Sequence, residues 1–240
     1  MTGEVTIMIV NPNTTGSMTD DAVAGARSAA RPSTQLIGAT ADAGVDSVES
    51  NTDEVWGALA VLEQVKRGEE MGVDGYVIAC FGDTGIAGAR ETASGPVVGM
   101  TEAALFTAAL LAPRFGIVTL PPRTREQSHR VLRETGLAHR ASVRAIDAPV
   151  SEAAADSAAL LDAIAEQASS AIRDDAAEAI VLGCAGLSAI AAPLSDRLEV
   201  PVIDGVTAAV PMVEGLLAQG LTTSRISTYA APPHREVLRG

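Results

Sequence analysis

Rings are scarce in this sequence: only 2% of its 240 residues are aromatic, while 47% are hydrophobic. A core of that make-up is assembled from Ala, Val, Leu and Ile, and the length suits one compact unit or two small, similar lobes. Positive charge is short as well. Seventeen Lys and Arg stand against thirty Asp and Glu, a formal net charge of −13, which repels phosphate backbones and anionic lipid and argues against nucleic-acid and membrane partners. No long apolar run is present. The most apolar stretch, residues 103–112, falls far below the ~18–20 residues that span a bilayer and reads as a buried helix. No basic segment followed by an apolar one precedes the strand-like start, so no leader is expected and the chain is expected in the cytoplasm. Cysteine is limited to Cys80 and Cys184, too few for a disulfide framework in a chain this long, so both are expected as reduced thiols. The histidines His129, His139 and His234 match no metal-ligand spacing and are expected on the surface.

What is abundant is alternation. Residues 5–10 (VTIMIV) form a continuous apolar run rich in β-branched side chains that stops at Asn11-Pro12-Asn13, the mark of a strand buried on both faces and ended by a turn. Similar runs occur at 75–79, 97–98, 116–119, 143–146, 179–182 and 202–203. Between most of them lie Ala-rich segments, and helices are predicted at 54–70, 101–111, 152–174 and 206–218, with Pro211 tolerable near the start of the last. This order of elements indicates an α/β fold with a mostly parallel sheet. Trp56 and Phe106 are expected in the core, either one a candidate to border a pocket, and Glu69-Glu70 reads as an exposed helix end.

The chain also repeats itself. PVVGMTEAALFTAALLA from Pro96 parallels PVIDGVTAAVPMVEGLLA from Pro201, with Asp204 as one extra residue in the second copy. Upstream, VIACFG at 77–82 parallels IVLGCAG at 180–186; Cys80 precedes Pro96 by 16 residues and Cys184 precedes Pro201 by 17. Residues 7–15 (IMIVNPNTT) and 115–124 (FGIVTLPPRT) match more loosely. Two pseudo-symmetric lobes are therefore predicted, each a mostly parallel sheet flanked by helices. The first spans residues 1–112 and carries Cys80; the second spans 113–220 and carries Cys184; a tail, 221–240, is expected to return to the first lobe.

Open α/β sheets bind ligands beyond the carboxyl ends of their strands, and both cysteines occupy that place. If the lobes face each other about a pseudo-twofold axis, the two thiols approach one cleft from opposite sides. One thiolate can then remove a proton from a stereogenic carbon while the opposed thiol protonates the other face, since a reference pKa of ~8.5 leaves both states accessible. No Lys or His lies within ten residues of either cysteine, so backbone N–H groups at the following helix are expected to lower the thiol pKa values. The small residues in Phe81-Gly82-Asp83-Thr84 and Gly183-Cys184-Ala185-Gly186 let amides approach enolate oxygens. Asn11 and Asn13 end the first strand at the same edge, with Thr119 as counterpart. Taken singly, a cysteine ending a buried strand is usually inert, Asn11-Pro12-Asn13 is a turn and cap, and Asp83 caps the helix after Cys80 or meets a substrate N–H. The equivalent placement of the only two cysteines weighs against the inert reading.

NPNTT at 11–15, VIACFGDTG at 77–85, GPVVG at 95–99, VLGCAGL at 181–187 and PVIDGV at 201–206 resemble, in order and over nearly the whole chain, segments of the hydantoin and allantoin racemases of the aspartate/glutamate racemase superfamily. The resemblance implies catalytic Cys80 and Cys184, no metal or pyridoxal cofactor, a 5-monosubstituted hydantoin or allantoin as the small-molecule substrate, and a homo-oligomer. Arylmalonate decarboxylases resemble this pattern with glycine at the first cysteine, so Cys80 favours racemisation over decarboxylation. Phe81-Gly82-Asp83 and Ala185-Gly186 depart from the motifs of amino-acid racemases, while Thr84 and Leu120-Pro121-Pro122 depart from the hydantoin pattern itself. A binding protein or redox switch using a Cys80–Cys184 pair is the non-enzymatic alternative.

Overall fold

The computed structural model describes residues 4–150 and 158–232. The first half contributes β1 (Val5–Asn11), α1 (Gly16–Ala29), β2 (Thr34–Thr40), α2 (Asn51–Met71), β3 (Gly75–Ile78), α3 (Ile86–Thr92), β4 (Val97–Gly99) and α4 (Met100–Leu111). The second contributes β5 (Phe115–Thr119), α5 (Arg125–Glu134), β6 (Ala141–Ala145), α6 (Ala158–Asp175), β7 (Ile180–Gly183), α7 (Ala191–Leu198), β8 (Val202–Ile203) and α8 (Gly205–Ala218). Two four-stranded parallel sheets result, ordered β2-β1-β3-β4 and β6-β5-β7-β8. The order is the same in each half, as the internal repeat requires. In both, the chain first winds one way from the central strand and then returns across it. The reversal places a crevice between the ends of β1 and β3, and another between the ends of β5 and β7.

Side chains alternate along these strands and divide the interior into three cores. Ile7, Ile9 and Val77 of the first sheet, with Ile117, Val181 and Ile203 of the second, face a shared central core. Met8, Val10, Tyr76 and Ile78 face an outer core under α2, where Val61 and Val65 meet them; Val118, Ile180 and Leu182 face the equivalent core under α6, with Ile164 and Ala168. Strands sandwiched in this way are apolar at nearly every position, which is why they read as unbroken runs.

The central core is filled by α4 and α8, and each crosses to the other half. Helix α4 packs on β7, β8 and α5, whereas α8, expected with the second lobe, packs on β1, β3, β4 and α1. The two helices also pack on each other through small side chains, Ala103, Ala104, Ala108 and Ala209 among them. Asp204, expected as the extra residue of the second repeat, has a structural counterpart in Gly99, for each is the N-cap of its helix. Asp204 is the N-cap of α8 and accepts from the Thr207 amide at 2.8 Å. The matching cap of α4 is Gly99, which has no side chain to offer; there the oxygens come from Asp83, which accepts from the Thr101 and Glu102 amides at 2.8 and 2.9 Å.

Several expectations require correction. Trp56 and Phe106 are not core residues; they are 53% and 45% exposed. The stretch 103–112 is helical down to Leu111, yet Leu110 and Leu111 are exposed. Glu69 is half-buried and accepts from the Tyr76 hydroxyl at 2.6 Å and the Ser94 amide at 3.0 Å, so only Glu70 is an exposed helix end. His129 and His139 are exposed, while His234 and the predicted helical residues 152–157 lie outside the described residues. Of the tail, residues 221–232 are described. They lie on the first half, with Thr222 Oγ1 donating to the Ser94 carbonyl at 2.6 Å and the Arg225 guanidinium to the Arg90 and Glu91 carbonyls at 2.8 and 2.9 Å. No helix among the described residues is long and apolar enough to cross a membrane.

Candidate active site

Cys80 follows β3 and Cys184 follows β7, the strands that border the two crevices. The structure brings both thiols, free of any disulfide, to one narrow cavity of about 40 Å3. Asn11, Asn13, Phe81, Thr119, Gly183, Ala185 and Gly186 also line it, together with Met18, Val48, Ala79, Leu120, Thr124, Gln127 and Val150. The halves contribute matching parts: the ends of β1 and β5, the cysteine loops, and one valine each from the loops after β2 and β6.

The turn after β1 is held by its own side chains. The Asn11 amide donates to Asn13 Oδ1 at 2.9 Å and to Thr19 Oγ1 at 3.0 Å, and Asn11 Oδ1 accepts from the Asn13 amide at 3.1 Å. Asn13 Oδ1 also accepts from the Thr15 amide at 2.9 Å. Among the described residues the Asn13 side-chain N–H group then meets only the Met18 sulfur, at 3.4 Å, a weak acceptor that leaves a donor available to a ligand. On the other side Thr119 Oγ1 lies 3.0 Å from Thr124 Oγ1 and donates to the Gly183 carbonyl at 3.2 Å.

Gly82, Asp83 and Thr84 do not line this cavity; they shape the loop that carries Cys80. The Gly82 amide donates to Thr101 Oγ1 at 2.7 Å and the Asp83 amide to the Cys80 carbonyl at 3.0 Å, so neither is free for an enolate oxygen. Asp83 adopts φ +53°, a left-handed conformation unusual for a residue with a side chain, and its carboxylate turns away to α4 rather than capping the helix after Cys80. Thr84 Oγ1 lies 3.4 Å from Cys80 Sγ. An ion pair clamps the loop from outside: the Arg130 guanidinium on α5 meets both Glu54 oxygens on α2 at 2.8 Å and donates to the Gly82 carbonyl at 2.8 Å.

Both thiols titrate above their ordinary range, against the expectation of a lowered pKa. Burial pushes Cys80 up to about 12; the Thr84 hydrogen bond opposes this, while the neighbouring Cys184, Asp83 and Glu54 add to it. Burial likewise pushes Cys184 up to about 11, opposed by the Gly186 amide and reinforced by Asp204 and Glu49. At this depth desolvation outweighs the local dipoles. Burial, with the charge of Glu102, also raises Asp83 to about 7. Among the described residues no group of His, Cys, Asp and Glu is placed to hold a metal ion.

Sequence reasoning missed Met18, Val48, Ala79, Leu120, Thr124, Gln127 and Val150 in the lining. One signal was available. Carrying the loose match of 7–15 with 115–124 three residues further pairs Met18 with Gln127.

Two duplicated parallel sheets with a cysteine ending a central strand of each, both opening on one cavity, define a two-lobed α/β enzyme of the racemase class. The sequence profile of the Asp/Glu/Hydantoin racemase family matches residues 7–213, and the chain belongs to that family. A hydantoin racemase from Pseudomonas sp. (strain NS671) is 39% identical over 231 residues, covering 96% of this chain and 93% of that protein. Allantoin racemase from Klebsiella pneumoniae superposes with a TM-score of 0.95 at 43% identity, covering 98% of this chain and 96% of the other. Arylmalonate decarboxylase, with a TM-score of 0.64 at 20% identity over 93% of this chain and 96% of its own, shares the fold.

Proposed function

We propose that this racemase inverts C5 of 5-monosubstituted hydantoins or of allantoin by moving one proton between Cys80 and Cys184, without a cofactor. The C5–H bond lies between a carbonyl and a ring nitrogen, so the charge left by deprotonation delocalises onto oxygen and no bound electron sink is required. One cysteine, as thiolate, takes the C5 proton; the other, as thiol, gives its own to the opposite face. Each turnover exchanges their protonation states, and the reverse reaction begins from the state the forward one leaves. Asn11, Asn13, Phe81, Thr119, Gly183, Ala185 and Gly186 contact the substrate in this reading, while Gly82, Asp83 and Thr84 act by holding the Cys80 loop.

The observation that carries the proposal is the convergence of the chain's only two cysteines, each at an equivalent strand end, on one cavity. The test uses Cys80→Ala and Cys184→Ala with each enantiomer of a hydantoin, following optical rotation and deuterium entry at C5 from D2O. Each variant should lose inversion in both directions and keep exchange only for the enantiomer whose hydrogen faces the remaining thiol. Inversion at wild-type rate by either variant overturns the two-base mechanism; CO2 release from an arylmalonate with Cys80 dispensable would point to decarboxylation.

We propose also that the chain acts in the cytoplasm, where free thiols persist, and as a homo-oligomer. Val55, Trp56 and Leu59 are exposed together on α2, an apolar face that a second copy can cover. Light scattering on a sizing column tests this, and a monomer at micromolar concentration would contradict it.

A further inference from the structure

Most of the cavity is built in matched pairs, one member from each half: Cys80 with Cys184, Asn11 with Thr119, Val48 with Val150. One pair is chemically uneven. Met18 on α1 and Gln127 on α5 both line the cavity, one a thioether and the other an amide. Gln127 is 7% exposed and its amide has no hydrogen-bond partner among the described residues. The remaining polar side chains of the lining are engaged, save the Asn13 N–H group that faces the Met18 sulfur. Asn11 and Asn13 bond each other, and Thr119 and Thr124 lie within hydrogen-bond distance of one another. The amide is not sealed in the packing, so an apolar group set against it would take away its water and return nothing, whereas packing alone would be served equally by a second Met. A ligand with its own N–H and C=O would complete the amide.

The hydantoin ring is common to every substrate of the proposed reaction, and its reacting carbon must lie between the two strand ends. Gln127 sits three residues into α5, beside the Cys80 loop; a Cβ on Gly82 would stand 3.4 Å from its own Cβ. It therefore flanks the place where the reacting carbon must lie. Its planar amide offers a carbonyl acceptor and two N–H donors in one plane, the complement of a urea. We propose that Gln127 is the specificity-determining residue for the C5 substituent, selecting a ureido group, which carries its own N–H and C=O, over an alkyl or aryl group. This rests on the racemase reading above. An apolar substituent leaves the amide unpaired, and sites built to hydrogen-bond a substrate reject analogues that cannot respond.

The test compares allantoin, which is 5-ureidohydantoin, with 5-isobutylhydantoin, using wild type, Gln127→Met and Gln127→Leu. Wild type should favour allantoin in kcat/KM. In either variant kcat/KM for allantoin should fall about 10- to 100-fold, while that for 5-isobutylhydantoin holds or rises. Equal falls for both substrates would assign Gln127 to the ring or to folding and overturn the proposal. A wild type that prefers 5-isobutylhydantoin would overturn it without any variant. If wild type racemises neither compound, the hydantoin reading itself fails, an outcome distinct from the other two.

Discussion

Replacing Arg130 with Met removes a guanidinium that ties α5 of the second half to Glu54 on α2 and to the Gly82 carbonyl beside Cys80. Hydrogen bonds to charged groups contribute about 1.5–3 kcal/mol each when buried. Arg130 is 37% exposed and Glu54 only 15%, so solvent screening lowers the arginine's share, while Glu54 is left largely desolvated without its partner. The variant should lose about 2–3 kcal/mol in urea unfolding. In a cycle with Glu54→Gln the coupling should be about 1–2 kcal/mol, because the Gly82 bond remains outside that pair. Catalysis gives a second, independent reading. Two enantiomers differing only at C5 have equal free energy, so kcat/KM must fall by the same factor in both directions, about tenfold for a loosened Cys80 loop. Deuterium entry without inversion is not bound by that equality, and it should fall more for the enantiomer whose hydrogen faces Cys80. A coupling below about 0.3 kcal/mol together with unaltered exchange would show that the clamp neither joins the halves nor holds the loop.

Gly99→Ala places a Cβ 2.2 Å from Asp83 Cγ and should cost about 2–4 kcal/mol through overpacking and loss of the α4 cap; the penalty should shrink in an Asp83→Ala background, and a penalty of the same size there would refute the contact. Because burial holds Cys80 at about 12 and Cys184 at about 11, the thiolate fraction of the free enzyme grows with pH, and kcat/KM should climb about tenfold per unit from pH 7 towards 10; a plateau below pH 8 would contradict the assignment. Asp83, held near 7 against an ordinary 3.8, binds a proton in the folded state between those values when the unfolded chain does not. Its contribution therefore rises as pH falls from about 7 to 4, by up to about 1.4 kcal/mol per unit. Wild type should gain on Asp83→Asn over that range in urea midpoints, and parallel profiles would refute the shift.

Seven of the eight strands among the described residues were legible as short apolar runs, most of them because both faces are buried; β6 (ASVRA), only part-buried, was read from Val143 onward. The exception, β2 (TQLIGAT), is an edge strand whose Gln35 and Ala39 are not buried, and it carries no such signal. The arrival of both cysteines at one cavity was legible through the repeat, since pseudo-equivalent strand ends face alike. The destination of the Asp83 carboxylate was not, because its partners lie 18 and 19 residues away on another helix. Gln127 was overlooked although helical spacing sets it four residues before Val131 on the buried face of α5; in a strongly polar helix that face carries too few apolar residues to stand out. The direction of the thiol titration was misjudged for a similar reason: a helix start is visible in a sequence, but the depth at which a sulfur is sealed is a property of the finished packing.

Because α4 and α8 are exchanged, neither half of this chain is a self-sufficient body. A cut near Pro113 would produce two pieces, each with the inside of its sheet stripped of the helix that belongs over it and each carrying a helix made for its sister. Such pieces should precipitate alone and recombine when mixed. The mutual dependence also restrains divergence between the duplicated halves, so the demands of burial alone keep both sulfurs at one cavity.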